Sequence, residues 1–315
     1  MMRDCVVIIG SGLMGSGIAC KSVLAGNPTI LVDTTLARAQ AGVEQAQRCI
    51  HELYVNGLAG EQAAEQAKCL LTCSDDLRKA LEQARFVIEA VYENLELKQE
   101  LFREIDEQLP KEVPVASNTS GLRITDIAAK TRHPERTMTT HFWFPAHLVP
   151  LVEVVMSEFT NEETALAVKR ELAVWGKAPV LVRRDLPGQL ANRILQAVIR
   201  EAVNIVEIGL ASPEDVDTAV KMGMGIRFPA WGPLEHIDAV GLDLCESVQN
   251  TVLPELSDGK KAADLFHQLV TDGKLGYKTG TGIYDWSQKD MDSLAEGRNH
   301  FIIEALKILN QPEQT

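Results

Sequence analysis

A β-branched run, Val6-Val7-Ile8-Ile9, leads directly into glycines spaced G-x-G-x-x-G at Gly10, Gly12 and Gly15, and then into a stretch that reads as helix. This segment constrains the fold more than any other. Four β-branched residues in a row suit a strand covered on both faces. Gly10 lets the chain turn sharply, Gly12 lets backbone approach a pyrophosphate, and Gly15 lets the helix pack closely on the strand, with its N-terminal amides aimed at phosphate. Leu13 and Met14 belong to the same candidate cofactor-binding turn. Glycine turns also do purely structural work, so a second signal matters. It comes from Thr29-Ile30-Leu31-Val32, a strand-like run ending in Asp33, 18 residues after Gly15, where an acid binds adenosine ribose hydroxyls. Thr34 and Thr35 follow rather than an arginine suited to a 2′-phosphate, so the expected cofactor is NAD(H).

The chain has 315 residues, 45% of them hydrophobic, enough for a sizeable core and two domains. A net charge of −13 argues against nucleic acid as a partner. No apolar run approaches the ~18 residues of a membrane span, and no secretory leader is visible, so the expected location is cytoplasmic. Cys5, Cys20, Cys49, Cys69, Cys73 and Cys245 lack C-x-x-C spacing and read as reduced, mostly buried thiols, with no metal site expected.

Apolar strands alternate with amphipathic helices through the first half, the pattern of a doubly wound, mostly parallel α/β sheet of Rossmann type. Expected helices run from about Leu36 to Leu53 and Glu61 to Lys68; a later one shows Leu97, Leu101 and Ile105 at helical spacing. Strands are expected at Phe86 to Val91, Pro114 to Ala116, Met138 to Phe142, Leu151 to Val155 and Pro179 to Val182. Beyond Pro187-Gly188 the chain reads as nearly all helical, opening with an apolar stripe of Leu190, Ile194, Val198, Ile205 and Ile208. The expected domains are therefore 1–184, NAD-binding, and 185–315, helical and carrying substrate contacts and a subunit interface. A stripe of this kind often lies against a second subunit, which points to a homodimer.

GSGLMG, VIEAVYENLELKQELF, SNTSGL, HFWFPAHLVPLVEVV, PGQLANRIL, GPLEHIDAVGLD and GYKTGTGIYDW together resemble, in order, the L-3-hydroxyacyl-CoA dehydrogenase family. The resemblance implies a Rossmann domain followed by a helical dimerisation domain. It also implies that His141 takes the proton of a 3-hydroxyl while hydride leaves for the nicotinamide, with Glu153 paired to the histidine. Ser120 and Asn192 match the polar residues that hold the substrate oxygen and the histidine; Glu93, Lys98, Asn118 and Lys278 match positions near the nicotinamide half.

Read without the resemblance, these residues are less distinctive. Most histidines are surface or satisfied core residues, but His141 ends a predicted strand, where doubly wound folds place ligands. Glu153 lies among Leu151, Val152, Val154 and Val155, so it reads as inward and in need of a partner. Ser120 alone could equally be a turn former; Asn192 alone reads as a helix N-terminal polar residue, and Lys98 alone as a solvated helix lysine.

Two departures bear on substrate. The common run after the histidine is Phe-Phe-Asn-Pro; here it is Phe142-Trp143-Phe144-Pro145, an aromatic ring where an amide is usual. Family members acting on CoA esters present basic residues after the second strand, whereas Arg48 is the one firm positive charge between Arg48 and Gly57. The first reading is NAD-dependent oxidation of a 3-hydroxyacyl-CoA, short-chain, to the 3-oxo product. The alternative is the same chemistry on a free 3-hydroxy acid or related alcohol of the L-carnitine, L-gulonate or pyridine-carboxylate type, with Arg227 or Arg123 holding a carboxylate. A non-catalytic, crystallin-like NAD-binding protein is the third reading.

Overall fold

The computed structural model describes residues 3–310. Eight strands form one sheet: β1 (Cys5–Ile9), β2 (Thr29–Val32), β3 (Leu71–Ser74), β4 (Ala84–Glu89), β5 (Val115–Ser117), β6 (Thr137–Phe142), β7 (Leu151–Met156) and β8 (Ala178–Val182), in the order β3-β2-β1-β4-β5-β6-β7-β8. All neighbours are parallel except β6 and β7, which run antiparallel. The helices accompanying the sheet are α1 (Leu13–Leu24), α2 (Leu36–Val55), α3 (Glu61–Leu70), α4 (Leu77–Leu81), α5 (Leu95–Gln108), α6 (Ile124–Ile127) and α7 (Glu162–Val174).

β1 is buried along its whole length, and its side chains alternate between two cores, as a sheet covered on both faces requires. Val6 and Ile8 join Ile18, Ile50, Leu53, Phe142 and Trp175 on one side. Cys5, Val7 and Ile9 join Val32, Phe102, Ile105 and Ile124 on the other.

The helices that follow are α8 (Ala191–Glu207), α9 (Pro213–Ala219), α10 (Pro233–Val240), α11 (Leu242–Val252), α12 (Asp264–Thr271) and α13 (Met291–Leu309). By internal contacts, residues 191–294 make one unit and residues 3–190 with 295–310 make the other. This differs from a division near Arg184 with everything after it helical and separate. The end of α13 returns to the sheet unit because Ile303, 4% exposed, and Ile302 are apolar and pack into the Ile8 and Phe142 core. In α8 Val203 is the buried residue, whereas Ile194 and, just past the helix, Ile208 of the predicted stripe are 56% and 64% exposed.

α5 corrects a second expectation. Of the expected Leu97, Leu101 and Ile105, Ile105 is buried and Leu101 packs against the same core, but Leu97 is 46% exposed, and Lys98, Phe102 and Asp106 complete the buried face. Charged residues occupy a core-facing stripe because each has an ionic partner inside: Lys98 meets Glu89 at 2.6 Å, and Asp106 meets Arg136 at 2.5 Å. The six cysteines are free, with Cys5, Cys20 and Cys49 buried, Cys73 and Cys245 partly so, and Cys69 exposed. No helix among the described residues is long and apolar enough to cross a membrane.

Arg136 and Asp106 side chains are each 2% exposed, and Arg136 also donates to the carbonyls of Pro110 and Val113. Removing the acid leaves a buried guanidinium without its counter-charge. Asp106→Ala is expected to cost about 3–5 kcal/mol, the usual price of breaking one side of a buried pair. Urea unfolding would measure this, and a loss below ~1 kcal/mol would assign the pair to the solvated class.

Candidate active site

The antiparallel turn between β6 and β7 sets the centre of the site. It places His141 directly opposite Glu153 in register, so both side chains stand on the same face. His141 Nδ1 lies 2.7 Å from Glu153 Oε2, with the carboxylate fully buried and the imidazole 9% exposed. The indole Nε1 of Trp143 donates to the same Oε2 at 3.1 Å, and the Leu190 amide donates to Oε1 at 2.9 Å. A buried carboxylate opposite Nδ1 favours the tautomer with the proton on that nitrogen, which leaves Nε2 free to accept one. Trp143 was read only as part of a departure from the family run; its indole N–H gives it a positioning role that a phenylalanine could not supply.

A second buried carboxylate organises the neighbouring loop. Glu89, fully buried at the end of β4, accepts from Lys98 Nζ, from the Ser117 hydroxyl at 2.6 Å and from the Val91 amide at 2.6 Å. Lys98 is therefore an internal brace, 1% exposed, rather than a solvated helix lysine. Its ammonium also lies 3.5 Å from Glu93. Glu93 in turn accepts from the Thr119 hydroxyl and the Gly121 amide at 2.5 and 3.0 Å, which fixes the loop carrying Ser120. Burial pushes the Glu93 carboxyl up, but these hydrogen bonds and Lys98 outweigh it and hold it below the usual range. Ser120 is exposed on that loop. Asn118 accepts from the Phe142 amide at 2.9 Å, tying the loop to the strand end next to His141. Glu89 and Ser117 were not singled out from sequence. The available signal for Glu89 was an acid closing an apolar strand, the same feature that identified Asp33.

The glycine turn has the geometry a nucleotide needs. Gly10 has φ +99°, and a Cβ there would meet the Ala90 carbonyl oxygen at 2.6 Å; one on Gly15 would meet the Gly10 carbonyl oxygen at 1.8 Å. At Gly12, by contrast, the space is open, and no side chain caps the amides of α1 where Leu13 and Met14 begin it. Asp33 accepts from the Ser11 amide and hydroxyl at 3.0 and 2.7 Å and from the Thr34 amide at 2.8 Å. Burial raises the Asp33 carboxyl, and these bonds more than reverse that, holding it ionised. Arg38, absent from the sequence reading, approaches Asp33 to 3.5 Å. A groove of about 330 Å³ lined by Ser11, Gly12, Asp33, Arg38 and Gly42 fits the adenosine half of a dinucleotide.

Two candidates lie in the helical unit. Asn192 is the second residue of α8, and Lys278 sits in a short 3₁₀ turn, Tyr277–Thr279, beside a cavity of about 490 Å³. Of the two arginines proposed for a carboxylate, Arg123 is committed elsewhere: its guanidinium lies 3.3 Å from Asp185 and 3.1 Å from Glu158. Arg227 is exposed, with His236 Nδ1 3.4 Å from its Nη2.

Asp33→Ala removes the acid meant for the ribose hydroxyls. NADH affinity is expected to fall about 10-fold to 100-fold, as for a hydrogen bond to a charged group of about 1.5–3 kcal/mol. Quenching of intrinsic tryptophan fluorescence by NADH reads this directly, and unchanged affinity would remove Asp33 from the cofactor site.

Residues 5–186 match the 3-hydroxyacyl-CoA dehydrogenase NAD binding domain, and residues 188–286 match the 3-hydroxyacyl-CoA dehydrogenase C-terminal domain. A 5-formyl-3-hydroxy-2-methylpyridine 4-carboxylate 5-dehydrogenase of Mesorhizobium japonicum is 32% identical, over 99% of this chain and 100% of the relative. A probable 3-hydroxybutyryl-CoA dehydrogenase of Bacillus subtilis is 37% identical, over 90% of this chain and 98% of the relative. Among solved structures, the crystal structure of a 5-formyl-3-hydroxy-2-methylpyridine 4-carboxylic acid 5-dehydrogenase, described as an NAD+ dependent dismutase, superposes with a TM-score of 0.90 at 32% identity, covering 99% of this chain and 100% of that one. The (S)-3-hydroxybutyryl-CoA dehydrogenase of Ralstonia eutropha gives 0.75 at 34% identity, covering 91% and 100%. The chain belongs to the 3-hydroxyacyl-CoA dehydrogenase family and is an NAD-dependent oxidoreductase acting on CH–OH groups.

Proposed function

We propose that this enzyme oxidises the hydroxyl of a small free carboxylic acid rather than that of a CoA thioester, with His141 as general base and Glu153 as its partner. One observation carries the choice of substrate. The second half of α2, where relatives acting on CoA esters present basic residues, here shares a core and a leucine-walled cavity with the protein's own C-terminal helix. Cys49, Ile50 and Leu53 are buried in the same core as Ile303, and Leu53 and Leu58 share a cavity wall with Leu306 and Leu309 of α13. α13 lies beyond residue 286, where the match to the family's C-terminal domain ends. Arg48, the one firm cation of that α2 segment, donates to the neutral Gln45 side chain at 2.8 Å. A leucine-lined surface with one firm cation between Arg48 and Gly57 offers the phosphates of CoA few charged partners.

The glycine turn and Asp33 would hold NAD, which would supply the hydride acceptor for the carbon bearing the hydroxyl. His141 Nε2 takes the hydroxyl proton, and the Glu153 carboxylate, held by His141, Trp143 and Leu190, stabilises the imidazolium that forms. Ser120 positions the substrate oxygen and Asn192 the histidine; Lys278 and Asn118 serve the nicotinamide half. Arg227 takes the substrate carboxylate, Arg123 being held by Asp185 and Glu158. The exposed apolar residues of the helical unit, among them Ile194, Leu234 and Leu244, support a homodimer.

A thioester substrate is the second reading, supported by the 35–37% identity to hydroxyacyl-CoA and 3-hydroxybutyryl-CoA dehydrogenases. NADH consumption with acetoacetate, dehydrocarnitine and acetoacetyl-CoA at equal enzyme separates the two. A free acid is expected to be preferred in kcat/KM; a thioester preference of ~10²-fold, ~2.7 kcal/mol of transition-state binding, would overturn the proposal.

His141→Gln is expected to lower kcat by about 10²-fold to 10⁴-fold, the usual contribution of a general base, while NADH affinity stays close to that of the parent. Wild-type turnover in this variant would remove His141 from the chemistry.

A further inference from the structure

The sheet unit contains a cavity of about 370 Å³, bordered by the ends of α1 and α13, that the dehydrogenase chemistry does not use. Its walls are mostly apolar, from Leu53, Leu58, Leu148, Pro150, Leu306 and Leu309. Two lysines, Lys21 at the end of α1 and Lys177 just before β8, bring ammonium groups to it.

Their surroundings are short of negative charge. Lys177 is 7% exposed and donates to the carbonyls of Ala146 and Val149 at 2.5 and 2.7 Å, which satisfies hydrogens without cancelling charge. Lys21 makes no hydrogen bond or ion pair among the described residues; its Nζ lies 3.5 Å from where a Cβ on Gly176 would stand, beside Lys177. Glu52, the carboxylate beside the cavity, is held by His147 Nε2 at 2.9 Å. Burial lowers both lysines, and the neighbouring Lys21 charge lowers Lys177 further, to about 7. The last turn of α13 also borders the cavity, but a helix C-terminus supplies only about half a charge. Two lysines, one of them without a partner among the described residues, facing a space walled largely by leucines can receive an anion.

We propose that this cavity binds a small organic carboxylate, its head between Lys21 and Lys177 and its aliphatic body against the leucines of α2 and α13. The apolar walls favour a carboxylate with a hydrocarbon portion over a bare inorganic anion, which would leave them uncovered. Because Leu306 and Leu309 form one wall, such a ligand fastens the end of α13 to the sheet unit.

Thermal unfolding of the full-length chain, titrated with hexanoate, hexan-1-ol or inorganic phosphate at constant ionic strength, tests this. Hexanoate is expected to raise Tm saturably, by roughly 5 °C at large excess over Kd, whereas hexan-1-ol and phosphate have little effect. Lys21→Met should abolish the hexanoate response and Lys21→Arg should keep it. Without hexanoate, Lys21→Met should melt at or above wild type, because it removes a repulsion. Four results would overturn the proposal: no response to hexanoate in wild type; an equal response to hexan-1-ol or phosphate; a response that persists in Lys21→Met, which would locate hexanoate elsewhere; or a Lys21→Met protein that is markedly less stable, which would make the lysine a structural cap on α13.

Discussion

The buried carboxylate of Glu153 is the group on which the arrangement depends. A fully buried carboxylate on an interior strand is costly unless hydrogen-bond donors surround it. Here they arrive from three places: His141 across the β6/β7 ladder, Trp143 from the loop after β6, and the Leu190 amide at the end of the sheet unit. Meeting the needs of one acid therefore fixes the imidazole, the loop that departs from the family run, and the point where the chain leaves the sheet unit. This follows from the reversal of a single strand. Eight residues separate Phe142 from Leu151, too few for a parallel crossover of a dozen or more, so β7 must return antiparallel beside β6.

Glu89 repeats the principle three strands away, at the end of β4. Lys98, Ser117 and the Val91 amide satisfy it, and through Lys98 and Glu93 the same network reaches the loop of Ser120. Both acids lie at positions where the sheet would otherwise be continuous apolar core. The site is thus built from inside the fold outward, with buried charges holding loops whose own backbones have few other restraints.

α13 gives this chain its individual character. It adds apolar contacts to the Ile8 and Phe142 core and closes the end of α2 with leucines. It also brings the Arg298 guanidinium 5.1 Å from the ring centre of Phe144, the aromatic that stands where the family run has an asparagine. Cover on α2 and a changed residue after the histidine therefore go with one helix, which relates two departures that appear independent in sequence.

Sequence alone determined the doubly wound sheet, the glycine turn with Asp33, the family and the NAD cofactor, because these rest on local spacing: strand runs, a fixed glycine interval and motifs in order. It also brought forward His141 and Glu153, twelve residues apart on adjoining strands. Other features required tertiary structure. Lys98 and Asp106 resemble solvated helix residues until their buried partners, 9 and 30 residues away, are seen. Glu89, Trp143 and Arg38 gain meaning from neighbours that no spacing rule connects. The return of α13 to the sheet unit depends on which apolar face finds a surface to cover. Hydrophobic burial is non-directional, so a sequence shows that such a face exists, and only the folded chain decides what it covers.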